Sequence, residues 1–250
     1  MRHYSFEAES LSELLSIIES EPAGTRHVFR GQSNSEWKLI PGLYRRKDVP
    51  IFSSTLEDSF DLYEAMCIER FFSEGLTYLP QLPRSYSNDR ILAQHFGVPT
   101  RLLDWSFDPL IATFFAVEKW WEDTDAAIYM LLPDGHSKPE YLKSLGHSKA
   151  VAFTPPAIDR RIPAQKSVFT FHPFGPADKP FVPLDDREDM GNQVSTKNNA
   201  ITRGFSKITI SKSKKRPILQ HLLQAGIDRR NLFPGLDGVG TDISMRTSLG

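Results

Sequence analysis

Arg30 closes the apolar run of HVFRGQ, His27 to Gln32, and delivers a permanent positive charge from a strand-like segment. Such a cation has two uses. It meets a phosphate or nucleotide, whose oxygens match the forked guanidinium donors, or it is a core-edge arginine paired with a carboxylate such as Asp104 or Asp108. Both acids lie in LLDWSFDP, Leu102 to Pro109, directly after Arg101. Arg101 and Asp104 are three apart, so on a strand they point to opposite faces. Arg101 is therefore either a second anion contact in a cleft or a core-side cation that needs another acid. In the same region Asp108 reads as a helix cap or a catalyst, Trp105 as core or as a base-stacking platform, and His95 as a packed or a catalytic imidazole.

The common catalytic motifs are absent. The seven histidines, His3, His27, His95, His136, His147, His172 and His221, show neither HExxH nor Cys/His ligand spacing, and Cys67 is the single cysteine. A zinc site is not expected. No GxxxxGK[ST], GxGxxG or GxSxG motif occurs, which removes the usual signatures of nucleotide hydrolases, dehydrogenases and esterases. A metal-dependent nuclease built on Asp104, Asp108 and Glu118 is a further reading, weakened because Glu118 lies ten residues beyond Asp108 on a largely apolar helix. The formal net charge of -1 provides no long-range attraction to polyanions. Locally, SKSKKR, Ser211 to Arg216, is the strongest basic cluster, read as a solvated helix entrance in preference to a nucleic-acid patch because it lacks interleaved aromatics.

The elements that must position these residues alternate without repeats or a linker. Ser10 with Glu13 forms a capping box before Leu11, Leu14, Leu15 and Ile18 at helical spacing. A strand is predicted over Arg26 to Arg30. A helix starting at Thr55 follows, and then one containing Ile91, Leu92, His95 and Phe96, ended by Gly97 and Pro99. Thr100 to Trp105 should be a strand leading into a buried helix capped by Asp108 with Pro109 in its first turn. Further strands are predicted over Ala126 to Leu132, Val168 to Phe171 and Phe205 to Ile210, and a short helix over Ile218 to Leu223 ending at Gly226. Residues 175 to 199 read as a long polar loop, either mobile or functional.

Phe29-Arg30-Gly31, QHFGVPTRLLDWSFDPLIATFFA from Gln94 to Ala116, and LFPGLD from Leu232 to Asp237 resemble the FRG-domain family, which takes its name from Phe-Arg-Gly. More distantly, VFRG, LDWSFDPLIATFFA and AQKSVFTFHP occur in the chain order of the three motif regions of clostridial-type ADP-ribosyltransferases. That resemblance implies an α+β fold in a single domain over residues 1–250, with split mixed/antiparallel sheets and a helical N-terminal part. It also implies NAD as substrate, held by Arg30 at the pyrophosphate together with Gly31, Gln32, Arg101 and Ser106. The catalytic places fall to Gln165 and Asp104. Gln165 stands where the transferases carry glutamate, and an amide can hydrogen-bond a ribose but cannot serve as a carboxylate base.

The function implied by the resemblance is thus an ADP-ribosyltransferase-like enzyme or NAD-cleaving toxin in bacterial or phage conflict. The alternative is a nucleotide- or nucleic-acid-binding module that has kept the fold and lost the chemistry. Expected partners are a nucleotide, a protein or nucleic-acid acceptor, and an antitoxin or regulatory protein. An acidic, amphipathic N-terminal stretch and the lack of any run near the ~20 apolar residues of a membrane span give the expectation of a cytoplasmic protein without membrane partners.

Overall fold

The computed structural model describes residues 4–52, 55–79, 83–133, 135–144, 150–173, 181–187, 195–197 and 200–249. Most of the polar stretch 175 to 199, as well as His3 and His147, lies outside them.

Local chemistry places the first helices where the caps predict. Ser10 Oγ accepts from the Glu13 backbone N–H at the start of α1 (Leu11–Glu19), and Thr55 does the same for Asp58 at the start of α2 (Leu56–Glu74). The helical spacing of Leu11, Leu14, Leu15 and Ile18 turns one face of α1 onto the main core. Helix α3 (Tyr86–His95) stops because Gly97 takes the left-handed conformation, φ 90°, that a Cβ disfavours.

The strands are β1 (Tyr4–Glu7), β2 (Val28–Gln32), β3 (Leu102–Ser106), β4 (Ala126–Leu131), β5 (Val151–Phe153), β6 (Ser167–Phe171), β7 (Ser195–Lys197), β8 (Ala200–Thr202) and β9 (Phe205–Ile210). Seven of them form one mixed sheet in the order β1-β9-β4-β2-β3-β6-β5, with β1 parallel to β9 and the other pairs antiparallel; β7 and β8 pair separately. The expected division into split sheets is therefore replaced by a continuous sheet. Its weak point is the β2/β3 seam, where Phe29 and Ser106 are the one residue pair.

Both faces of the sheet are covered. On β4, Ala126, Ile128 and Met130 pack into a core with α4 (Pro109–Val117), α6 (Lys212–Gln224) and α8 (Leu236–Leu249). Ala127, Tyr129 and Leu131 pack into a second core with Leu39, Trp105 and Val168. This period-two alternation between two apolar faces marks a strand in the middle of a layered domain. Two short helices, α5 (Arg161–Ala164) and α7 (Arg229–Leu232), complete the described elements used below. No helix among the described residues is long and apolar enough to cross a membrane.

Three sequence readings are corrected. The strand carrying Arg30 starts later and runs two residues further than expected, so Arg30 lies mid-strand, at the point where β2 loses β3 as a neighbour. Helix α6 begins at Lys212 and takes in most of the basic cluster, with Pro217 inside it. The cluster is an exposed helix entrance as expected at Lys212 and Arg216, and Lys215 is the departure: it is fully buried with its Nζ donating to Ser33 O at 2.8 Å, while Lys212 and Lys214 pair with Asp123 and Glu9, and Arg216 donates to Leu249 O. Cations near a helix N-terminus oppose the dipole, and these bonds to acids and carbonyls offset that cost. Third, β1, β5, α7 and α8 have no counterpart among the elements read from the sequence.

Candidate functional site

β2 pairs along its whole length with β4, and β3 along its whole length with β6. Past the Phe29–Ser106 pair the two strands separate, and a cleft of about 400 Å³ opens between them. Arg30, Gly31 and Gln32 line it from β2, and Asp104 and Ser106 from β3. Gln165, the C-cap residue of α5, closes a third side.

Arg30 spans the root of this cleft. Its Nη1 donates to the backbone oxygen of Asp104 at 2.6 Å and lies 3.3 Å from Asp104 Oδ2, so a side-chain donor takes the place of a missing ladder bond. Pairing with Asp104 is one of the two uses the sequence offered for this arginine. The pairing leaves capacity: among the described residues Arg30 Nε is buried with no hydrogen-bond partner, and so is Gln32 Oε1. Buried polar atoms are normally bonded, and two orphans on one strand bordering a cleft mark it as a place where a ligand can supply partners.

A second cation stands near. Arg45, from the turn after Leu43, lines the same cleft, and burial together with repulsion from Arg30 lowers its pKa while Asp104 opposes the shift. Of the two guanidiniums only Arg30 contacts Asp104, whose carboxylate is 55% exposed and also accepts from Gln94 Nε2. Positive charge in excess at a concave, partly dry surface favours an anionic ligand.

Ser106 is a brace. Its Oγ donates to Gln165 O at 2.8 Å and accepts from Asp108 N at 2.9 Å, tying β3 to the turn before β6 and to the start of α4. Asp108 is a cap: Oδ1 accepts from Leu110 N at 2.8 Å, and Oδ2 pairs with Lys166 Nζ at 2.6 Å. Asp108→Ala is expected to lower stability by about 1 kcal/mol, readable in denaturant unfolding, because an unfilled N-cap leaves a helical N–H without its acceptor. Gln165 precedes β6 and does not start it; its Nε2 donates to Leu232 O at 3.0 Å, which fixes the amide's orientation.

Arg101 is not in the cleft. It turns toward α2, where it pairs with Glu64 and Asp61, the core-side outcome for which it needed another acid. Trp105 is buried in the core with its Nε1 donating to Thr170 Oγ1 at 2.8 Å, and one edge of it reaches the cleft wall. His95 also lines the cleft. So do Arg45, Trp37 and Phe233, which the sequence did not single out; Phe233 belongs to the LFPGLD stretch, whose Leu232 O holds Gln165. For Arg45 no local pattern signals the role, since only the fold brings the turn after Leu43 beside β2.

The nuclease arrangement does not form. Asp108 is committed to Lys166 and Glu118 to Arg229, and among the described residues no three His, Cys, Asp or Glu side chains are grouped to hold a metal ion.

Comparison with known families supports one part of the reading. Residues 25–125 match the FRG domain. The FRG match supports the resemblance carried by Phe29-Arg30-Gly31 and by the Gln94 to Ala116 stretch. Its span includes Arg30, Gly31, Gln32, His95, Asp104 and Ser106, and ends before Gln165 and LFPGLD. Two walls of the cleft thus lie within the matched span, and the third comes from the chain that follows. No curated protein and no solved structure matches the chain.

Proposed function

We propose that this chain, which matches the FRG domain over residues 25–125, is an ADP-ribosyltransferase-like enzyme that cleaves NAD, transferring ADP-ribose to an acceptor or to water. The observation that carries this reading is the convergence of Arg30, Asp104, Ser106 and Gln165, from three separate stretches of sequence, on one cleft. The narrow β2/β3 seam is read as the place where transferase-like half-sheets part. Arg30, with Arg45 beside it, would hold the pyrophosphate, whose oxygens suit both the charge and the unpartnered Nε–H. Ser106 would keep the pocket wall in place. Asp104 would set its carboxylate beside the positive charge that develops on the nicotinamide ribose as the glycosidic bond lengthens. The cleft volume lies within the usual range for small-molecule sites.

A role as a toxin in conflict between bacteria and phages, with an antitoxin to restrain it, is the biological setting proposed with this activity. The alternative, a binding module without chemistry, draws on Gln165, since neither a base nor a negative charge stands at that place.

The test is incubation with NAD, alone and with cell lysate, reading nicotinamide release and mass increments on protein or nucleic acid. Arg30→Ala is expected to reduce release about 10- to 150-fold, the equivalent of losing a hydrogen bond to a charged group worth roughly 1.5–3 kcal/mol. Arg30-dependent nucleotide binding with no turnover would instead identify the binding module. Loss of neither binding nor turnover in Arg30→Ala would remove the cleft from both readings.

A further inference from the structure

His95 is the last residue of α3 and is clamped at both ends by the approach to α5. Arg161 Nη1 donates to its backbone oxygen at 3.1 Å, and its ring Nδ1 lies 3.6 Å from Asp159 Oδ1. Asp159 is itself held, accepting from Arg161 N at 2.7 Å. The imidazole lines the cleft beside Gln94, whose amide bonds Asp104. Nδ1 is buried with no hydrogen-bond partner, and Nε2 has none among the described residues.

We propose that His95, oriented by Asp159, is the general base of this cleft, supplying the proton acceptor that Gln165 cannot. The proposal rests on the NAD reading above. A carboxylate facing Nδ1 favours the neutral tautomer that carries its proton there, which leaves the Nε2 lone pair for chemistry. The contact at 3.6 Å is longer than a hydrogen bond, as catalytic contacts often are without substrate. In the step, the bond between the nicotinamide ring nitrogen and ribose C1′ breaks, and its electron pair leaves with neutral nicotinamide. The oxygen of water, or of an acceptor hydroxyl, forms the new bond to C1′, and its proton passes to His95 Nε2. The positive charge of the nicotinamide ring thereby ends on the imidazolium, which Asp159 stabilises.

The charged groups that set the imidazole's titration are Asp159 and Arg161 at α5 and Asp104 on β3. Burial lowers the His95 pKa from the ordinary histidine value, Asp159 and Asp104 oppose this, and Arg161 adds to it. The neutral, base-competent form therefore dominates at pH 7. Turnover should fall as pH drops through the lowered pKa.

The experiment combines nicotinamide release from pH 5 to 9, calorimetric NAD binding, and ¹⁵N NMR of the His95 ring, on wild type, His95→Gln and Asp159→Asn. Expected are an Nδ1–H tautomer, unchanged NAD binding by His95→Gln, and loss of about 10²- to 10⁴-fold in its release rate together with the acidic limb. Asp159→Asn should lower the His95 pKa further and reduce kcat with KM unchanged. Release by His95→Gln at the wild-type rate and with the wild-type pH profile overturns the role of His95 and leaves the NAD reading standing. An Nε2–H tautomer overturns that role whatever the turnover. Absence of release from wild type at every pH overturns the NAD reading and this step with it.

Discussion

Replacing Glu64 by alanine is expected to lower folding stability by about 3–5 kcal/mol, the usual cost of removing one partner from a buried ion pair. Glu64 is 0% exposed on α2. Its Oε2 accepts from Arg90 Nε and Nη2 at 3.1 and 2.9 Å and from Arg101 Nε at 2.7 Å, and its Oε1 accepts from Arg101 N at 2.9 Å. One carboxylate thus joins α2, α3 and the start of β3. Without it two buried guanidiniums lose their shared counter-charge, and neither can shed its proton to escape. Asp61, which also pairs with Arg101 but is 45% exposed, is the internal comparison, and Asp61→Ala should cost under about 1 kcal/mol. Urea unfolding of both variants checks the prediction, and a Glu64→Ala cost no larger than that of Asp61→Ala would remove the structural role given to the network. It follows that Arg101→Ala should weaken folding and leave the proposed nucleotide binding of the folded protein unchanged, the opposite of Arg30→Ala.

Gly31→Ala is the second large effect. A Cβ at Gly31 would stand 1.9 Å from the backbone oxygen of Ala112 and 2.7 Å from the backbone nitrogen of Ala116. Both neighbours are main-chain atoms of α4, so no side-chain rotation relieves the overlap. Strand and helix must separate, at a cost of about 3 kcal/mol or more, the upper range for overpacking. Because Gly31 lies between Arg30 and Gln32, the same displacement would move the cleft wall. Lost stability should therefore come with loss of the proposed nucleotide binding in the fraction that folds. Gly135→Ala, where a Cβ meets nothing within 4 Å, is the control and should stay within about 0.5 kcal/mol of wild type. A Gly31→Ala protein as stable as that control would contradict the packing of β2 on α4.

How much of this was legible depends on the range of the interaction concerned. The caps at Ser10, Thr55 and Asp108 and the helix stop at Gly97 were readable because each is completed within a few residues: a hydroxyl or carboxylate meets an N–H two or three positions on, or a glycine accepts a conformation its neighbours cannot. The same holds for the apolar periodicity of α1. Within the basic cluster the burial of Lys215 is not legible, since its ammonium reaches the carbonyl of Ser33 across 182 positions, a partner that local polarity cannot announce. The C-terminal helix α8 is not legible in the sequence because the low apolar periodicity of Leu236–Leu249 hides a helix whose Met245 and Leu249 are buried by the fold.

The sequence by itself determined the FRG-domain resemblance, the order of the elements around Arg30 and Asp104, and the absence of a glutamate at position 165, all properties of residue identity and short spacing. Only the tertiary structure decided that Arg101 leaves the cleft for Glu64, that Arg45 and His95 join it, and that β2 and β3 part after one pair. Those outcomes depend on which side each strand presents to its neighbours and on which buried charges find one another, and both are settled by packing between segments far apart in the chain.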